Sequence, residues 1–415
     1  MSSLNRISKY INTFNFPRLP GTAGEKRAIE LTIETFREIG YEINQIKKEP
    51  FRFSNFYSAV LIKLIIILSF IIVTSLMLMV YISHIMLYII IALSVLMILL
   101  ILKDNKRPES DTFWNKHFGK YINSSNVYIK IPGSLSSSEL KGDIILSAHI
   151  DSKSQTFTSF WRGKIYRTWI YSGSLFGFIY TIYSIYLYSS YSAVGILLYS
   201  NLPRFFIIEI ILWVLFFLIL LSNILLLKLK SGNKSTGALD NASGMAIIFE
   251  LSSFFKDNPL KHYNLWICQF SAEEMGTMGS RFFLKHHSAK FIKGNVFLIN
   301  SDAISDARNE SDNRVEFIKS TKRFPRRQGS PTISRCLEEA AKNEGLAIYG
   351  FHSTFGVHFD SLPFRLRGYD AIDIHTKSTI KYTHKKVDAP DKINLKTLHN
   401  AVRIIKKAVL MLDNE

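Results

Sequence analysis

Three observations predict an α/β fold, a mixed, mainly parallel sheet flanked by helices and interrupted by two inserted transmembrane helical hairpins. Three long stretches of the chain are almost free of charge. What remains alternates strand-like with helix-like segments, the pattern of a sheet covered by helices. Acids and histidines stand just beyond several of the strand-like runs, where open sheets of this kind bind their ligands.

The first observation fixes the apolar elements. From Leu64 to Leu102 there are 39 consecutive residues without Asp, Glu, Lys or Arg, and from Thr168 to Leu202 there are 35. A third run, Phe205 to Leu227, contains one charge, Glu209. At about 1.5 Å per helical residue the first run spans roughly 58 Å, enough for two crossings of a core about 30 Å thick, with a turn near Ser83 and His84. The second and third pair into a second hairpin through Pro203 and Arg204, giving four membrane helices over residues 59–103 and 167–228. Soluble core helices seldom run so far without a polar stripe.

Flanking charge predicts the orientation. Arg52, Lys63, Lys103, Lys106, Arg107, Arg162, Lys164, Arg167, Lys228, Lys230 and Lys234 lie beside the outer ends of the hairpins, whereas the short turns carry only Arg204. The positive-inside rule then puts both termini and the intervening segments in the cytoplasm. Glu209, about one turn inside the far interface, is expected to snorkel or to pair with Arg204. Residues 1–56 have no apolar core of a cleaved signal peptide.

Composition narrows the class. Lys and Arg number 51 against 33 Asp and Glu, a net +18, in a chain of 415 residues that is 47% hydrophobic. That much apolar material excludes disorder as the main state. Cys268 and Cys336 are far apart and form no CxxC pair, which excludes a disulfide scaffold and a cysteine zinc site and fits a reducing compartment. The basic surplus is compatible with nucleic acid or a membrane. No basic stripe interleaved with aromatics is concentrated in one segment, so nucleic acid is not an expected partner.

The remaining residues, 1–58, 104–166 and 229–415, are expected to form one discontinuous domain. β-rich runs occur at Val127–Ile131, Asp143–Ile150, Asn264–Phe270, Asn295–Ile299 and Tyr369–Ile374, and helical periodicity at Gly24–Ile39, Ala242–Phe255, Thr332–Asn343 and Leu395–Leu412. Five polar segments follow or adjoin them: Ser147-Ala148-His149-Ile150-Asp151, Gly237-Ala238-Leu239-Asp240-Asn241-Ala242-Ser243-Gly244, Ser271-Ala272-Glu273-Glu274, Asn300-Ser301-Asp302 and Tyr382-Thr383-His384, the last four residues before Asp388.

These residue types have a joint use. Two histidines and three carboxylates, one of them bridging, can hold two divalent metals, and zinc suits mixed imidazole and carboxylate ligands. A carboxylate outside the metal shell can deprotonate the bridging water and later protonate the leaving group, a division of labour that adjacent Glu273 and Glu274 fit. Asp151, two residues beyond His149, is placed to orient that imidazole. Taken singly the pieces have ordinary readings: Asp240 as a helix N-cap, Asp302 as a turn residue, Glu273 and Glu274 as a solvated acidic loop.

In this order the segments resemble the M28 metallopeptidases, a family of co-catalytic dizinc aminopeptidases and carboxypeptidases that also includes glutaminyl cyclases. The stretch Phe16-Pro17-Arg18-Leu19-Pro20-Gly21-Thr22-Ala23-Gly24-Glu25-Lys26-Arg27-Ala28 looks like the family's amino-terminal segment, Asn126 to Gly133 like the strand before its first ligand, and Asp360-Ser361-Leu362-Pro363-Phe364 like the region that shapes its substrate pocket. The resemblance implies a zinc-peptidase (phosphorylase/hydrolase-like) fold and two zinc ions per chain. His149, Asp240, Glu274, Asp302 and His384 would be the ligands, Asp240 bridging, with Glu273 the general base and Asp151 the partner of His149. Leu239 stands where many members have Asp. The order Tyr-Thr-His replaces the usual Tyr-His-Thr, which leaves His375 as a rival to His384; His286, His287, His352 and His358 read as surface or packing residues.

The expected activity is that of a membrane-anchored zinc exopeptidase, most directly an aminopeptidase whose metal-bridging water is activated by Glu273. Carboxypeptidase or glutaminyl-cyclase-like activity on the same site is the alternative, and an inactive membrane receptor or scaffold the alternative of another class. Because the second hairpin enters between His149 and Asp240, the pocket is expected close to the membrane face, with peptides as substrates and the bilayer as a partner.

Overall fold

The computed structural model describes residues 2–80, 86–104, 108–110, 112–194, 205–305, 313–321, 327–353 and 358–415. It divides into two compact units: Met1–Asn55, Asp111–Ser159 and Lys230–Glu415 form one, and Phe56–Ser110 with Phe160–Leu229 the other.

The first unit is built on a nine-stranded sheet. In chain order its strands and those of a small ribbon are β1 (Ile46–Ser54), β2 (Tyr121–Ile131), β3 (Gly142–His149), β4 (Ser154–Gln155), β5 (Ser231–Gly232), β6 (Tyr263–Phe270), β7 (Val296–Ser301), β8 (Val315–Thr321), β9 (Arg327–Gln328), β10 (Ile348–Ser353) and β11 (Asp370–Ile374). The sheet runs β1-β2-β6-β3-β7-β11-β8-β10, with β9 beside β8, while β4 and β5 pair separately. Its centre, β6-β3-β7-β11, is parallel, and antiparallel pairs flank it.

Side chains alternate between two cores, as the pleat requires. Ile144 and Leu146, Leu265 and Ile267, Phe297 and Ile299 face one core. It is closed by the helices α1 (Ser3–Thr13), α2 (Ala23–Ile39), α8 (Ser243–Asp257), α10 (Pro331–Asn343) and α12 (Leu395–Asn414). Ile145, Trp266, Cys268, Val296 and Leu298 face the other, with α9 (Met278–His287) and α11 (Ser361–Leu366). Burial on both faces explains why these central strands read as continuous apolar runs. Cys268 and Cys336 are buried free thiols.

Some elements have no counterpart in the expected set. In β1 only Ile46, Phe51, Phe53 and Ser54 are buried, and Lys47, Lys48, Glu49 and Pro50 interrupt the alternation; charge and proline of this kind protect a sheet edge. Strands β8 and β10 carry Glu316, Lys319 and His352 inside short runs, and α1, α9 and α11 are short or mixed in polarity.

The second unit contains α3 (Leu61–Met79), α4 (Met86–Asp104), α7 (Phe206–Leu227) and, from Phe160, α6 (Ser159–Val194); the short α5 (Phe113–Phe118) belongs to the first. Among the described residues three helices are long and apolar enough to cross a membrane, Phe56–Met79, Ser159–Leu187 and Phe206–Leu227. Four were expected. The fourth has a shorter described apolar stretch, Ile89–Leu100, about 18 Å at 1.5 Å per residue. Large apolar side chains such as Phe70, Leu99, Phe178, Phe206 and Phe217 are exposed, as suits a surface facing hydrocarbon. The expected turns at Ser83 and His84 and at Pro203 and Arg204, and the flanking Lys106 and Arg107, lie outside the described residues. Glu209 is buried, and Tyr183 donates to its Oε1 at 2.6 Å.

Candidate active site

Four parallel strands bring the candidate residues to one edge of the sheet. His149 ends β3, Glu273 and Glu274 follow β6 in a single 3-10 turn, Asp302 follows β7, and Asp240 lies in the turn entering α8. Register places Ser147 of β3 beside Cys268 of β6 and Asn300 of β7, so the three strands end together. His384 comes from the loop after β11, with a positive φ of 67°. Ala272 and Ala303, next to Glu273 and Asp302, also have positive φ, 57° and 48°; such strain at bulkier residues persists only where the surroundings enforce it.

Asp240 is the hub. Its Oδ1 lies 3.1 Å from His149 Nε2 and its Oδ2 3.2 Å from His384 Nε2. Asp302 Oδ2 is 3.6 Å from the first imidazole, and Glu274 Oε1 3.0 Å from the second. Two groups able to hold a metal result, His149/Asp240/Asp302 and Asp240/Glu274/His384, all buried and sharing Asp240. His149 Nε2 and Glu274 Oε1 are buried without a hydrogen-bond partner. Buried polar atoms left unpaired are costly, and a cation placed among them removes that cost, so the donor set fits zinc. His375 is in neither group: its Nδ1 meets the Asp302 carbonyl at 2.9 Å and its ring lies 5.0 Å from Phe359.

The turns that carry these groups are pinned by carboxylates. Asp151 accepts the Glu273 and Glu274 amides at 3.1 and 3.0 Å, and it meets His149 Nδ1 through its own main-chain carbonyl at 3.0 Å. Asp388 does the same for the Asp240 turn, accepting the amides of Leu239 at 2.6 Å and Asp240 at 3.3 Å. Asn241 ties that turn to the Asp302 turn, donating to Ser301 O and accepting from Ala303 N. Gly244 permits the approach, because a Cβ there would stand 2.3 Å from Ser301 O.

The charges shape one another. Burial raises the Asp240 carboxyl, but the two imidazoles outweigh it and hold Asp240 well below the usual range. Burial also opposes ionisation of Glu274, yet His384 and Lys153 bring it down to about 2. Glu273 is pushed well up, first by burial and then by Glu274, Asp302 and Asp360 against the opposing pull of His149. Neighbouring carboxylates thus differ in proton affinity.

Sequence reasoning gave no individual role to several residues. Arg18 is fully buried and donates to Ile150 O, Thr236 O and Gly237 O, clamping the His149 strand end to the Asp240 segment. Lys153 Nζ lies 2.6 Å from Glu274 Oε2. Asp360 is buried, accepts from Ser280 Oγ at 2.6 Å and leaves Oδ2 unpaired. An arginine within Phe16–Leu19 and a lysine two residues after Asp151 were the available signals.

The model of Peptidase family M28 matches residues 227–409, which include Asp240, Glu273, Glu274, Asp302 and His384. The fold is shared with solved structures at low identity. An aminopeptidase from Aneurinibacillus sp. strain AM-1 matches at 14% identity and TM-score 0.55, covering 98% of this chain and 93% of that one. A zinc aminopeptidase from Bacillus subtilis matches at 13% and 0.53, covering 99% and 94%. A glutaminyl cyclase from an Acidobacteriales bacterium matches at 15% and 0.52, covering 99% and 94%. No curated protein matches. The carboxy-terminal part of the chain is thus similar to Peptidase family M28, and the fold is one shared with zinc aminopeptidases and glutaminyl cyclases.

Proposed function

We propose that this protein is a membrane-anchored, dizinc exopeptidase that releases amino-terminal residues. The observation that carries the reading is Asp240, whose two carboxylate oxygens each face a different imidazole, beside two buried donor atoms with no hydrogen-bond partner. His149 and Asp302 would hold one ion, Glu274 and His384 the other, and Asp240 both. When bound, zinc supplies Lewis acidity toward the scissile carbonyl and toward water.

The protein's own groups do the rest. Glu273, adjacent to the ligands and with raised proton affinity, takes the proton of the attacking water and delivers it to the leaving amine. Asp151 keeps Glu273 and Glu274 in register by holding both amides, and its carbonyl keeps the His149 ring turned so that Nε2 faces Asp240. The catalytic domain would comprise residues 1–58, 104–166 and 229–415. Four membrane helices would anchor it in the cytoplasm, close to membrane-derived or bilayer-proximal peptides.

A second reading, cyclisation of amino-terminal glutamine, uses the same donors and is favoured by the fold shared with a glutaminyl cyclase. Purified full-length protein is assayed on aminoacyl anilides and on glutaminyl peptides, with and without chelator. Chelator-sensitive release of the amino-terminal residue supports the first reading, and ring closure without release replaces it with the second. Glu273→Gln should abolish turnover and retain zinc; full activity in that variant refutes its role.

A further inference from the structure

Within the first unit, the chain leading into α6 and the chain returning from α7 pair in a short stem. Just before α6, Ser154 and Gln155 pair antiparallel with Gly232 and Ser231, which follow α7. Thr156 N donates to Lys230 O at 3.1 Å, and Lys234 N to Ser154 Oγ at 3.0 Å. Its incoming strand touches the candidate metal centre repeatedly. Lys153 Nζ stands 2.6 Å from Glu274 Oε2 and 3.1 Å from Glu274 O. Gln155 N donates to His384 O at 2.9 Å, and the Gln155 amide and Ser159 Oγ, the latter at 3.0 Å, both meet His384 Nδ1. Lys153 and Gln155 are largely buried, and Ser159 is the first residue of α6.

We propose that Lys153, Gln155 and Ser159, on the entry stem of the second hairpin, are positioning residues that set the metal affinity of the Glu274/His384 half of the centre and leave the His149/Asp302 half unaffected. The proposal rests on the dizinc reading above. Lys153 occupies Oε2 of Glu274, so Oε1, which faces His384 Nε2 at 3.0 Å and has no hydrogen-bond partner, is the oxygen left to bind. A histidine that offers the Nε2 lone pair carries its proton on Nδ1, and that proton needs an acceptor. Ser159 Oγ supplies one, and the Gln155 amide another when its oxygen is turned to the ring. Outer partners of this kind typically change metal affinity by about 10- to 100-fold. The other half is met by residues outside these three: the Asp151 carbonyl, whose side chain also holds the Glu274 amide, meets His149, and Ile374 O accepts the Asp302 amide at 3.0 Å.

Full-length protein in detergent micelles is stripped of metal and titrated with Zn2+ against a chromophoric chelator, then with Co2+ followed by visible absorption. Wild type should bind two equivalents. In Lys153→Met and in Ser159→Ala one equivalent should weaken about 10- to 100-fold, its Co2+ bands should shift, and the other should be unchanged; Lys153→Arg should restore most of the loss. Two equivalents of unchanged affinity in both variants, or equal weakening of both, overturns the proposal. Ser159→Ala removes a single oxygen at a helix start, so the test stays readable if the Lys153 variant fails to fold. Wild type that binds no metal overturns the dizinc reading itself, a different outcome from failure of the stem proposal.

Discussion

The two halves of the centre are held by different means. The His149/Asp302 half stands on the ends of adjacent parallel strands, β3 and β7, whose hydrogen bonds continue almost to the ligands. The Glu274/His384 half stands on a one-turn 3-10 segment and on a loop residue with φ of 67°, held by Asp151, by Lys153 and by the stem of an inserted hairpin. Asp240 belongs to both. A scaffold-held half is expected to resist substitution around it, whereas a half held by side chains and a short ribbon is expected to be adjustable.

The largest effect should come from the shared residue. Asp240→Ala removes a donor from each half, and metal analysis should find both ions lost together with all peptidase activity; retention of one tightly held ion would break the symmetry argued here. Glu273→Gln comes next, with kcat down by about 10²- to 10⁴-fold, the range for a positioned acid–base group, and with metal content unchanged. His384→Ala should empty only its own half, leaving one equivalent bound at wild-type affinity in the same titration.

Smaller effects sharpen the picture. Gly244→Ala pushes a methyl against Ser301 O beneath Asp302 and should cost about 1–3 kcal/mol of stability, the usual range for overpacking, measured by denaturant unfolding. The smallest concerns Asp360, whose neighbours by charge include His149 and Asp302. Burial pushes its carboxyl up to about 7. A carboxyl raised on folding contributes stability that is complete below its unfolded pKa, near 4, and is lost as pH rises through the folded value. Asp360→Asn removes that loss, so its melting temperature relative to wild type should be higher at pH 8 than at pH 5. Equal differences at the two pH values would contradict the assignment.

How much was legible follows from the same contrast. Strands β3, β6 and β7 are buried on both faces and announce themselves as apolar runs, so the residues beyond them, His149, Glu273, Glu274 and Asp302, could be picked out by position. The long apolar helices were legible because charge is absent from Leu64 to Leu102 and from Thr168 to Leu202, and nearly so from Phe205 to Leu227. The stem was not: β4 and β5 are two residues each, and nothing periodic exists in two residues. Edge strand β1 hides behind Lys47, Lys48, Glu49 and Pro50. Arg18, Lys153 and the cradle formed by Asp388 act across long sequence separations, joining residues 121 to 219 positions apart, and local pattern carries no trace of such pairs.

The most direct test of the central claim, two metals sharing Asp240, is anomalous diffraction at the zinc edge from crystals of the full-length protein. Two peaks, one beside His149 and Asp302 and one beside Glu274 and His384, on opposite oxygens of the Asp240 carboxylate, are the predicted result. A single peak, or none, in crystals of protein that hydrolyses peptides would contradict it.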